Sequence, residues 1–294
     1  MYMLEIINCP VCESSNFSEE RRIKDHSVSK EVFSVQHCKD CNHRFTSPLP
    51  GPDKIGPYYD SPDYISHTDD GSSVFGKVYK SLRSLNMSKK HSHVKRWVSE
   101  GRHLDYGCGT GTFLEFMLAK GFASEGVELN DGAREKASRY GNVVPNISET
   151  NGTYNAITLW HVLEHIYDLK QLMRDFHTRL HDDGALFIAV PNPESPDAIK
   201  YKEFWAAWDI PIHAQHFSKS SMQSLASKTG FEVKEILPMK LDAFYIALLS
   251  EQYKANQNSK SLVHWVKAFF AGIKSNFSAG KDNTSSLIYV LQKV

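Results

Sequence analysis

Residues 102–120 read RHLDYGCGTGTFLEFMLAK, a short apolar run that breaks into a glycine-rich turn and continues with helical periodicity. This order predicts a strand, a tight loop and a helix. Gly107, Gly109 and Gly111 alternate along the loop, and glycine permits positive φ angles and close approach of a ligand to the backbone. The helix that follows directs its free N–H groups toward the same point. We therefore expect a nucleotide-like ligand at this loop.

The residues around the loop distinguish two kinds of nucleotide ligand. The segment SEGVELN (124–130) predicts a second strand near Glu128, where folds of this kind place a ribose-binding carboxylate. The glycine spacing is G-x-G-x-G, whereas a dinucleotide site requires G-x-G-x-x-G around its pyrophosphate. Asp105 precedes the first glycine by two residues and would repel a pyrophosphate. Its charge suits a cationic ligand, such as the sulfonium or ammonium of S-adenosylmethionine.

Three motifs in order resemble those of class I S-adenosylmethionine-dependent methyltransferases. They are LDYGCGTG (104–111), VELN (127–130) and YNAITLWHVLEH (154–165). The resemblance covers 102–231 and implies a doubly wound α/β fold, with a seven-stranded, mostly parallel, Rossmann-like sheet. In that fold the last strand is antiparallel and lies between the fifth and sixth. The implied cofactor is S-adenosylmethionine, and S-adenosylhomocysteine is the product.

Contacts to the cofactor follow from this resemblance and from the expected topology. Asp105 and the backbone of Gly107–Gly111 would hold the methionine end, and Glu128 would hold the ribose hydroxyls. The adenine would lie against Asn146 and Ile147, which come after a third strand. The remaining expected contacts are Trp160 beside the sulfur, and Tyr64 or His67 closing over the amino-acid end.

Four of the five cysteines form two C-x-x-C pairs, Cys9 with Cys12 and Cys38 with Cys41. Each pair presents two thiolates from one turn, and two such turns make a tetrahedral four-cysteine zinc site. The segment VFSVQHC (32–38) has the period of a strand, so a β-hairpin fits between the pairs. Cysteines with this spacing are typical of metal binding in a reducing compartment. We expect a zinc-ribbon-like module whose metal replaces a core.

The pattern of the sequence divides the chain into three parts. Residues 1–48 form the zinc module, and 49–100 form a linker and helices that cover the cofactor site. Residues 101–294 form the methyltransferase domain, in which strands and helices alternate. Within it, PNPESPDAIKYKEFWAAWDIPIHAQHF (191–217) interrupts the alternation and predicts a substrate lid. An amphipathic segment at 262–273 predicts a helix in the core or at a dimer surface.

Methyl transfer from a sulfonium is an in-line displacement, and the acceptor must also lose a proton. Histidine suits the role of base because its ordinary pKa of about 6.5 lies near working pH. The candidates are His213, His216, His161 and His165, and the position of His165 in an E-H pair at a helix start favours a role in orienting the loop. The stretch IPIHAQHFS (210–218) resembles the segment that carries the basic histidine in zinc-containing deoxysugar C-methyltransferases, which favours His213. The sequence lacks the acidic residue of that family's Tyr-His-Glu-His run, so C-, O- and N-methylation all stay open.

Composition excludes some partners. The chain has 34 basic and 34 acidic residues, so no overall field attracts nucleic acid or a membrane. No stretch reaches the roughly 18 apolar residues of a membrane span, and the N-terminus lacks a signal-peptide pattern. We expect a soluble, cytoplasmic enzyme that methylates a small-molecule acceptor such as a sugar or a quinone-like metabolite. Its oligomeric state stays open.

Three other functions fit parts of the sequence. A zinc-ribbon RNA methyltransferase would share the fold, but base N-methyltransferases usually carry N/D-P-P-aromatic where this chain has WHVLEH (160–165). A nicotinamide-dependent oxidoreductase would need the other glycine spacing. A non-enzymatic binding protein would leave the cofactor motifs without a use.

Overall fold

The structure is a computed structural model, and it describes residues 3–60, 74–255, 271–280 and 282–294. These residues form a central seven-stranded sheet, a four-stranded antiparallel sheet and a two-stranded pair. Tyr64 and His67 lie outside the described residues. So does most of the predicted helix at 262–273, although 271–278 are helical.

Short strands build the N-terminal module. They are β1 (Met3–Leu4), β2 (Phe17–Lys24), β3 (Val32–Cys38), β4 (Arg44–Thr46) and β5 (Leu49–Pro50). β2 pairs antiparallel with β3 from Phe17 opposite Cys38 to Lys24 opposite Val32, which confirms the predicted hairpin. β4 extends this sheet, and β1 pairs with β5. The two C-x-x-C turns therefore lie at one end of the hairpin, before β2 and after β3.

The central sheet has the expected topology. Its strands are β6 (Arg102–Tyr106), β7 (Ala123–Val127), β8 (Val143–Val144), β9 (Tyr154–Trp160), β10 (Leu180–Pro191), β12 (Phe231–Pro238) and β13 (Ser286–Lys293), while β11 (Gln215–His216) belongs to the N-terminal sheet. The strand order is β8-β7-β6-β9-β10-β13-β12. The first five strands are parallel, and β13 runs antiparallel to both β10 and β12. This order confirms the doubly wound class I methyltransferase sheet.

Helices follow most of the strands. They are α1 (Val74–Trp97), α2 (Thr112–Ala119), α3 (Asp131–Ala137), α4 (Leu169–Arg179), α5 (Pro196–Tyr201), α6 (Lys219–Lys228) and α7 (Asp242–Lys254). α6 begins at a capping box between Ser218 and Ser221. A glycine after a helical pattern predicts a left-handed C-terminal turn at Gly121 and Gly141. Gly121 has it, at φ +90°, but the prediction for Gly141 is wrong because α3 already ends at Ala137.

Two apolar layers cover the faces of the central sheet. On one face, Val94 of α1 and Met117 of α2 pack against Phe187 and Val290. On the other face, residues of α4 and α6 pack in one cluster with Leu104 and with Cys9, Cys38 and Phe45 of the N-terminal module. Burial on both faces accounts for the largely apolar sequence of β9 and the uninterrupted apolar run ALFIAV (185–190) of β10. No helix among the described residues is both long and apolar enough to cross a membrane.

Residues 191–217, the predicted lid, are packed between the hairpin and α7. Trp205 and Trp208 are 1% and 2% exposed, in a cluster with Phe33 of β3 and Ile246 of α7. β11 pairs with β4, so that the segment ends as a strand of the N-terminal sheet. The hydroxyl of Thr46 also donates to the carbonyl of His213 at 2.8 Å. The N-terminal module therefore holds the histidine-bearing end of this segment.

Candidate active site

The glycine loop lies at the carboxyl end of β6 and leads into α2. Gly107 and Gly109 adopt φ angles of +72° and +55°, a region that other residues rarely occupy. A Cβ on Gly107 would lie 2.5 Å from Cγ2 of Val162, so packing requires glycine there. A Cβ on Gly109 would meet no described atom within 4 Å beyond its chain neighbours. The loop is thus closed behind Gly107 and open for a ligand at Gly109.

Asp105 lies in β6 beside this loop and is 2% exposed. Its Oδ1 accepts a hydrogen bond from Oγ1 of Thr158 on β9 at 2.7 Å. Burial raises the pKa of Asp105 to about 7, and the neighbouring Glu128 acts in the same direction, while Thr158 and the Lys90 ammonium oppose it. A cationic ligand beside this carboxyl would stabilise its ionised form.

A buried chain of hydrogen bonds supports Asp105 from behind. The ring of His103 lies 3.0 Å from Oγ1 of Thr158 and 3.1 Å from Oγ of Ser124. Because the Thr158 hydroxyl donates to Asp105, it accepts from Nε2–H of His103, whose Nδ1 then accepts from Ser124. Burial lowers the pKa of His103 to about 3, so its ring is neutral. This chain fixes the side chain of Asp105 in place.

Glu128 directly follows β7 and is held by two backbone groups. Its Oε2 accepts from the N–H of Gly109 and its Oε1 from the N–H of Asn130, both at 2.8 Å. Each carboxylate oxygen can accept a further hydrogen bond. The carboxylate is therefore positioned at the mouth of the loop with capacity for two ligand hydroxyls.

The neighbouring strands place the other expected contacts at the same edge of the sheet. Asn146 is exposed and Ile147 is buried just after β8. Trp160 ends β9, packs edge-to-face on Phe113 and lies under the Lys90 ammonium, 4.6 Å from its ring centroid. Nε1 of Trp160 is buried and has no hydrogen-bond partner among the described residues. Such an orphaned donor is consistent with a ligand at this edge.

His161, the next residue, is bound by two carboxylates. Its Nε2 lies 2.8 Å from Oδ2 of Asp242 on α7, and its Nδ1 lies 3.3 Å from Oε1 of Glu164. Burial disfavours the charged ring, but the two carboxylates outweigh it and raise the pKa of His161 to about 10. An imidazolium that donates from both nitrogens has no lone pair with which to accept a proton.

In contrast to the charged ring of His161, the rings of His165 and His213 are neutral. Nδ1 of His165 lies 3.0 Å from the carbonyl of Ile212 and 3.2 Å from the hydroxyl of Tyr59, and Nδ1 of His213 lies 3.0 Å from the carbonyl of Ala207. A carbonyl only accepts, so each Nδ1 carries the proton and each Nε2 keeps a lone pair. The rings meet edge-to-face with centroids 4.7 Å apart. Burial lowers both pKa values, that of His165 to about 4, so both rings are neutral.

Glu164 links these histidines to His161. It is 1% exposed, and its Oε2 is buried without a hydrogen-bond partner among the described residues. Glu164, His165 and His213 each place one carboxylate oxygen or ring nitrogen within 4.8 Å of those of the other two. Oδ2 of Asp209 lies 3.9 Å from Nε2 of His213, too far for a direct hydrogen bond.

His216 is used differently from the other candidates. It lies on β11 and is 3% exposed, with Nε2 3.2 Å from Oγ1 of Thr46. Its ring packs edge-to-face against Trp208. Burial holds the pKa of His216 well below its usual range. These contacts attach the lid segment to the N-terminal sheet.

The four predicted zinc ligands form a cluster in which every sulfur lies within 4.8 Å of the others. The Cys9–Cys41 and Cys12–Cys38 sulfur pairs are each 3.5 Å apart. A tetrahedral ion with Zn–S bonds of about 2.3 Å requires sulfurs about 3.8 Å apart, so the residues fit zinc. Cys108 is a free, buried thiol in the glycine loop, away from this cluster.

Of the expected cofactor residues, the structure brings the described ones to one edge of the sheet, and it places Glu164 between His161 and His213. Sequence reasoning did not single out Glu164, Asp242 or Lys90. Glu164 stood within the quoted motif WHVLEH, and its position between two histidines was the available signal. Asp242 begins a segment whose apolar composition left its conformation ambiguous. Its contact with His161 spans 81 positions, which no local pattern encodes.

The strand order and the acidic and glycine-rich ends of β6 and β7 define a class I S-adenosylmethionine-dependent methyltransferase domain. The methyltransferase-domain family matches residues 81–236, and the chain belongs to that family.

Individual relatives are distant. The chain is 23% identical over 173 residues to a ubiquinone biosynthesis O-methyltransferase of Rickettsia akari (strain Hartford), covering 53% of this chain and 68% of the relative. Geranyl diphosphate C-methyltransferase from Streptomyces coelicolor A3(2) is 15% identical, with TM-score 0.53, covering 84% of this chain and 100% of its own. A SAM-dependent methyltransferase from Archaeoglobus fulgidus is 18% identical, with TM-score 0.50, covering 75% and 100%. These two structures confirm the fold.

Proposed function

We propose that this protein transfers the methyl group of S-adenosylmethionine to an oxygen of a small-molecule acceptor, with His213 assisting removal of the acceptor's proton. The observation that carries the proposal is the arrangement of Asp105, Glu128 and the open space at Gly109 along one edge of the sheet. The name of the Rickettsia relative supports oxygen as the acceptor atom.

The cofactor residues suit the parts of S-adenosylmethionine. Asp105 would lie near its positive charges, and the two free acceptor positions of Glu128 match a pair of ribose hydroxyls. Asn146 and Ile147 would flank the adenine, and Trp160 would border the sulfonium. A dinucleotide would need a binding site for its pyrophosphate at the glycine loop. The described residues provide none, because the carboxyl of Asp105 lies beside that loop and would repel the phosphates. This set favours S-adenosylmethionine over a dinucleotide.

The reaction is a displacement in which the acceptor oxygen forms a bond to the methyl carbon while the C–S bond breaks and its electron pair stays on sulfur. Holding the two reactants in line can supply roughly 7 to 11 kcal/mol of the barrier. The acceptor's proton must leave. His213 is buried, its Nε2 carries a lone pair, and the hydrogen bond of its Nδ1 to the carbonyl of Ala207 orients the ring. His161 is an imidazolium and His216 is bonded to Thr46, so His213 is the favoured base of the three.

The zinc site has a structural role in this proposal. A bound ion would join the two C-x-x-C turns at one end of the hairpin, and the hairpin sheet holds β11 beside His213. Zinc would therefore stabilise the acceptor side of the site without touching the reacting atoms.

Calorimetry of S-adenosylmethionine binding tests the proposal. Glu128→Gln removes charge-assisted hydrogen bonds to the ribose, which should weaken binding by about 1.5 to 3 kcal/mol. Glu135→Gln, an exposed change on α3, is the matched control and should leave affinity unchanged. Binding of NAD instead of S-adenosylmethionine, or equal affinity in both variants, would contradict the assignment.

A further inference from the structure

Oε2 of Glu164 has an unusual environment for a carboxylate oxygen. It is buried, and no hydrogen-bond donor among the described residues satisfies it. Burying a carboxylate oxygen without a partner is costly, so such an atom in a native structure calls for a ligand or an ordered water. Its sister atom Oε1 is already engaged by the imidazolium of His161, which fixes the orientation of the carboxylate. The unpaired oxygen, Oε2, is therefore held in one orientation.

Two histidine lone pairs belong to the same cluster. The Nδ1–H groups of His165 and His213 are committed to the carbonyls of Ile212 and Ala207, which leaves each Nε2 without a proton. A backbone carbonyl on the far nitrogen is the usual support of a metal-bound histidine, because it fixes the tautomer and the ring plane. Two rings fixed in this way, close to one unsatisfied carboxylate, make a set of three metal ligands.

We propose that Glu164, His165 and His213 bind one divalent transition-metal cation, at a site separate from the four cysteines. Their ligand atoms lie within 4.8 Å of one another. Bonds of about 2.1 Å to a common ion require separations of about 3 to 3.4 Å, so each side chain has to move inward by less than about 1 Å. Small rotations of the glutamate and imidazole torsions provide that movement.

The donor set decides the class of ion. Two imidazoles and one carboxylate suit Mn²⁺, Fe²⁺ or Zn²⁺, whereas four thiolates select zinc and disfavour Mn²⁺. The carboxyl group of Asp209 lies 3.9 Å from Nε2 of His213, at the rim of the site. Three protein ligands leave positions open for an acceptor oxygen.

The inference deepens the proposed function and rests on it only for the catalytic use of the ion. A cation bound to the acceptor oxygen lowers the pKa of its hydroxyl, so that the proton leaves to water. His213 would then act as a ligand rather than as the direct proton acceptor. Acceptors with two adjacent oxygens, which can chelate the ion, fit this site best.

The test counts metal ions bound to the full chain. Purified protein is dialysed to equilibrium against Mn²⁺, and all bound metals are measured by mass spectrometry, with electron paramagnetic resonance reporting bound Mn²⁺. The wild-type chain should hold two ions, one of them zinc at the thiolates. Glu164→Gln and, separately, His165→Gln should hold one, or bind the second at least about tenfold more weakly. Glu203→Gln, an exposed change in the lid, should still hold two.

Two variants guard against loss of folding, and S-adenosylmethionine calorimetry on each reports the cofactor site separately. One ion in the wild-type chain, or two ions in both ligand variants, would overturn the cation site. Failure of the wild-type chain to bind S-adenosylmethionine would refute the proposed function while leaving the metal count intact.

Discussion

At the scale of single residues, the site shows how one side-chain type takes several electrostatic states within a few ångströms. His103 is neutral because it is buried among hydroxyls, whereas His161 is charged because Asp242 and Glu164 flank it. Burial lowers the pKa of His213, and the carbonyl of Ala207 binds its Nδ1, which leaves Nε2 to carry the lone pair of the neutral ring. These differences decide which histidine can accept a proton or bind a cation.

Asp105 leads to a prediction about pH. Burial raises its pKa from 3.8 to about 7, so about half of the free protein carries the protonated acid at pH 7. A sulfonium or ammonium beside it favours the carboxylate, so binding should release about half a proton at pH 7. Affinity should therefore fall as pH drops below 7 and level off above it. Calorimetry in buffers of different ionisation enthalpy measures the released proton.

Asp105→Asn serves as the control for that measurement, because an amide has no proton to release in this range. The variant should bind S-adenosylmethionine more weakly, without the proton release. Equal proton release in the variant and the wild-type chain would assign the titration to another group. The raised pKa also means that the free fold loses stability as pH rises from about 4 to about 7.

His213→Ala should lower turnover about 100- to 10,000-fold, whether the ring acts as a base or as a ligand of a catalytic cation. Affinity for S-adenosylmethionine should change less than about twofold, because His213 lies on the lid segment beyond Glu164. Steady-state kinetics and calorimetry separate the two effects. His181→Ala, a half-exposed histidine on β10, is the control and should keep full turnover. A loss below about fivefold in His213→Ala would remove this residue from the mechanism.

At the scale of elements, the pairing of β4 with β11 joins two parts that are far apart in the sequence. β4 follows the second C-x-x-C turn, and β11 ends the lid segment. The four-cysteine cluster is therefore coupled to the position of His213 through one short antiparallel ladder and the Thr46 hydrogen bond. This connection depends on β4, a strand of three residues, which is too short for its register to be predicted from the sequence.

This coupling predicts the effect of breaking the zinc site. Cys38→Ser should reduce the zinc released on thiol modification from about one equivalent to less than half. Since zinc ligation in small modules contributes on the order of 10 kcal/mol to folding, hydrogen exchange in β2 and β3 should become faster. Turnover should fall as well, because β11 loses its support. Mass spectrometry of exchanged peptides and a zinc assay provide the measurements.

Cys108→Ser, which leaves the cluster untouched, is the matched control for Cys38→Ser and should retain its zinc. Retention of a full equivalent of thiolate zinc by Cys38→Ser would show that Cys38 is not a ligand. Unchanged exchange in β2 and β3 after zinc loss would mean that packing alone holds the hairpin.

At the scale of the whole molecule, the central sheet and the lid contribute different residues to the site. The parallel strands β8, β7, β6 and β9 end at one edge, and their last residues and the following turns supply Asp105, Glu128 and Trp160. α7 supplies Asp242 to His161, and the lid supplies His213, whose carbonyl is bound by Thr46 of the N-terminal sheet. The edge that carries Asp105 and Glu128 is thus built from one series of motifs, whereas the surroundings of His213 are assembled from distant segments.

The sequence by itself determined the sheet, the glycine loop, the placement of Asp105 and Glu128 beside that loop, and the cysteine pairs. Each of these depends on neighbours within a few positions: apolar periodicity, glycine in a turn, or two thiols on one turn. Only the tertiary structure decided the ionisation and tautomer of each histidine and the burial of Glu164. The reason is physical, because charge state depends on burial and on partners such as Asp242, 81 positions from His161, and Thr46, 170 positions from His216. Residues so far apart in the sequence come into contact only when the chain folds.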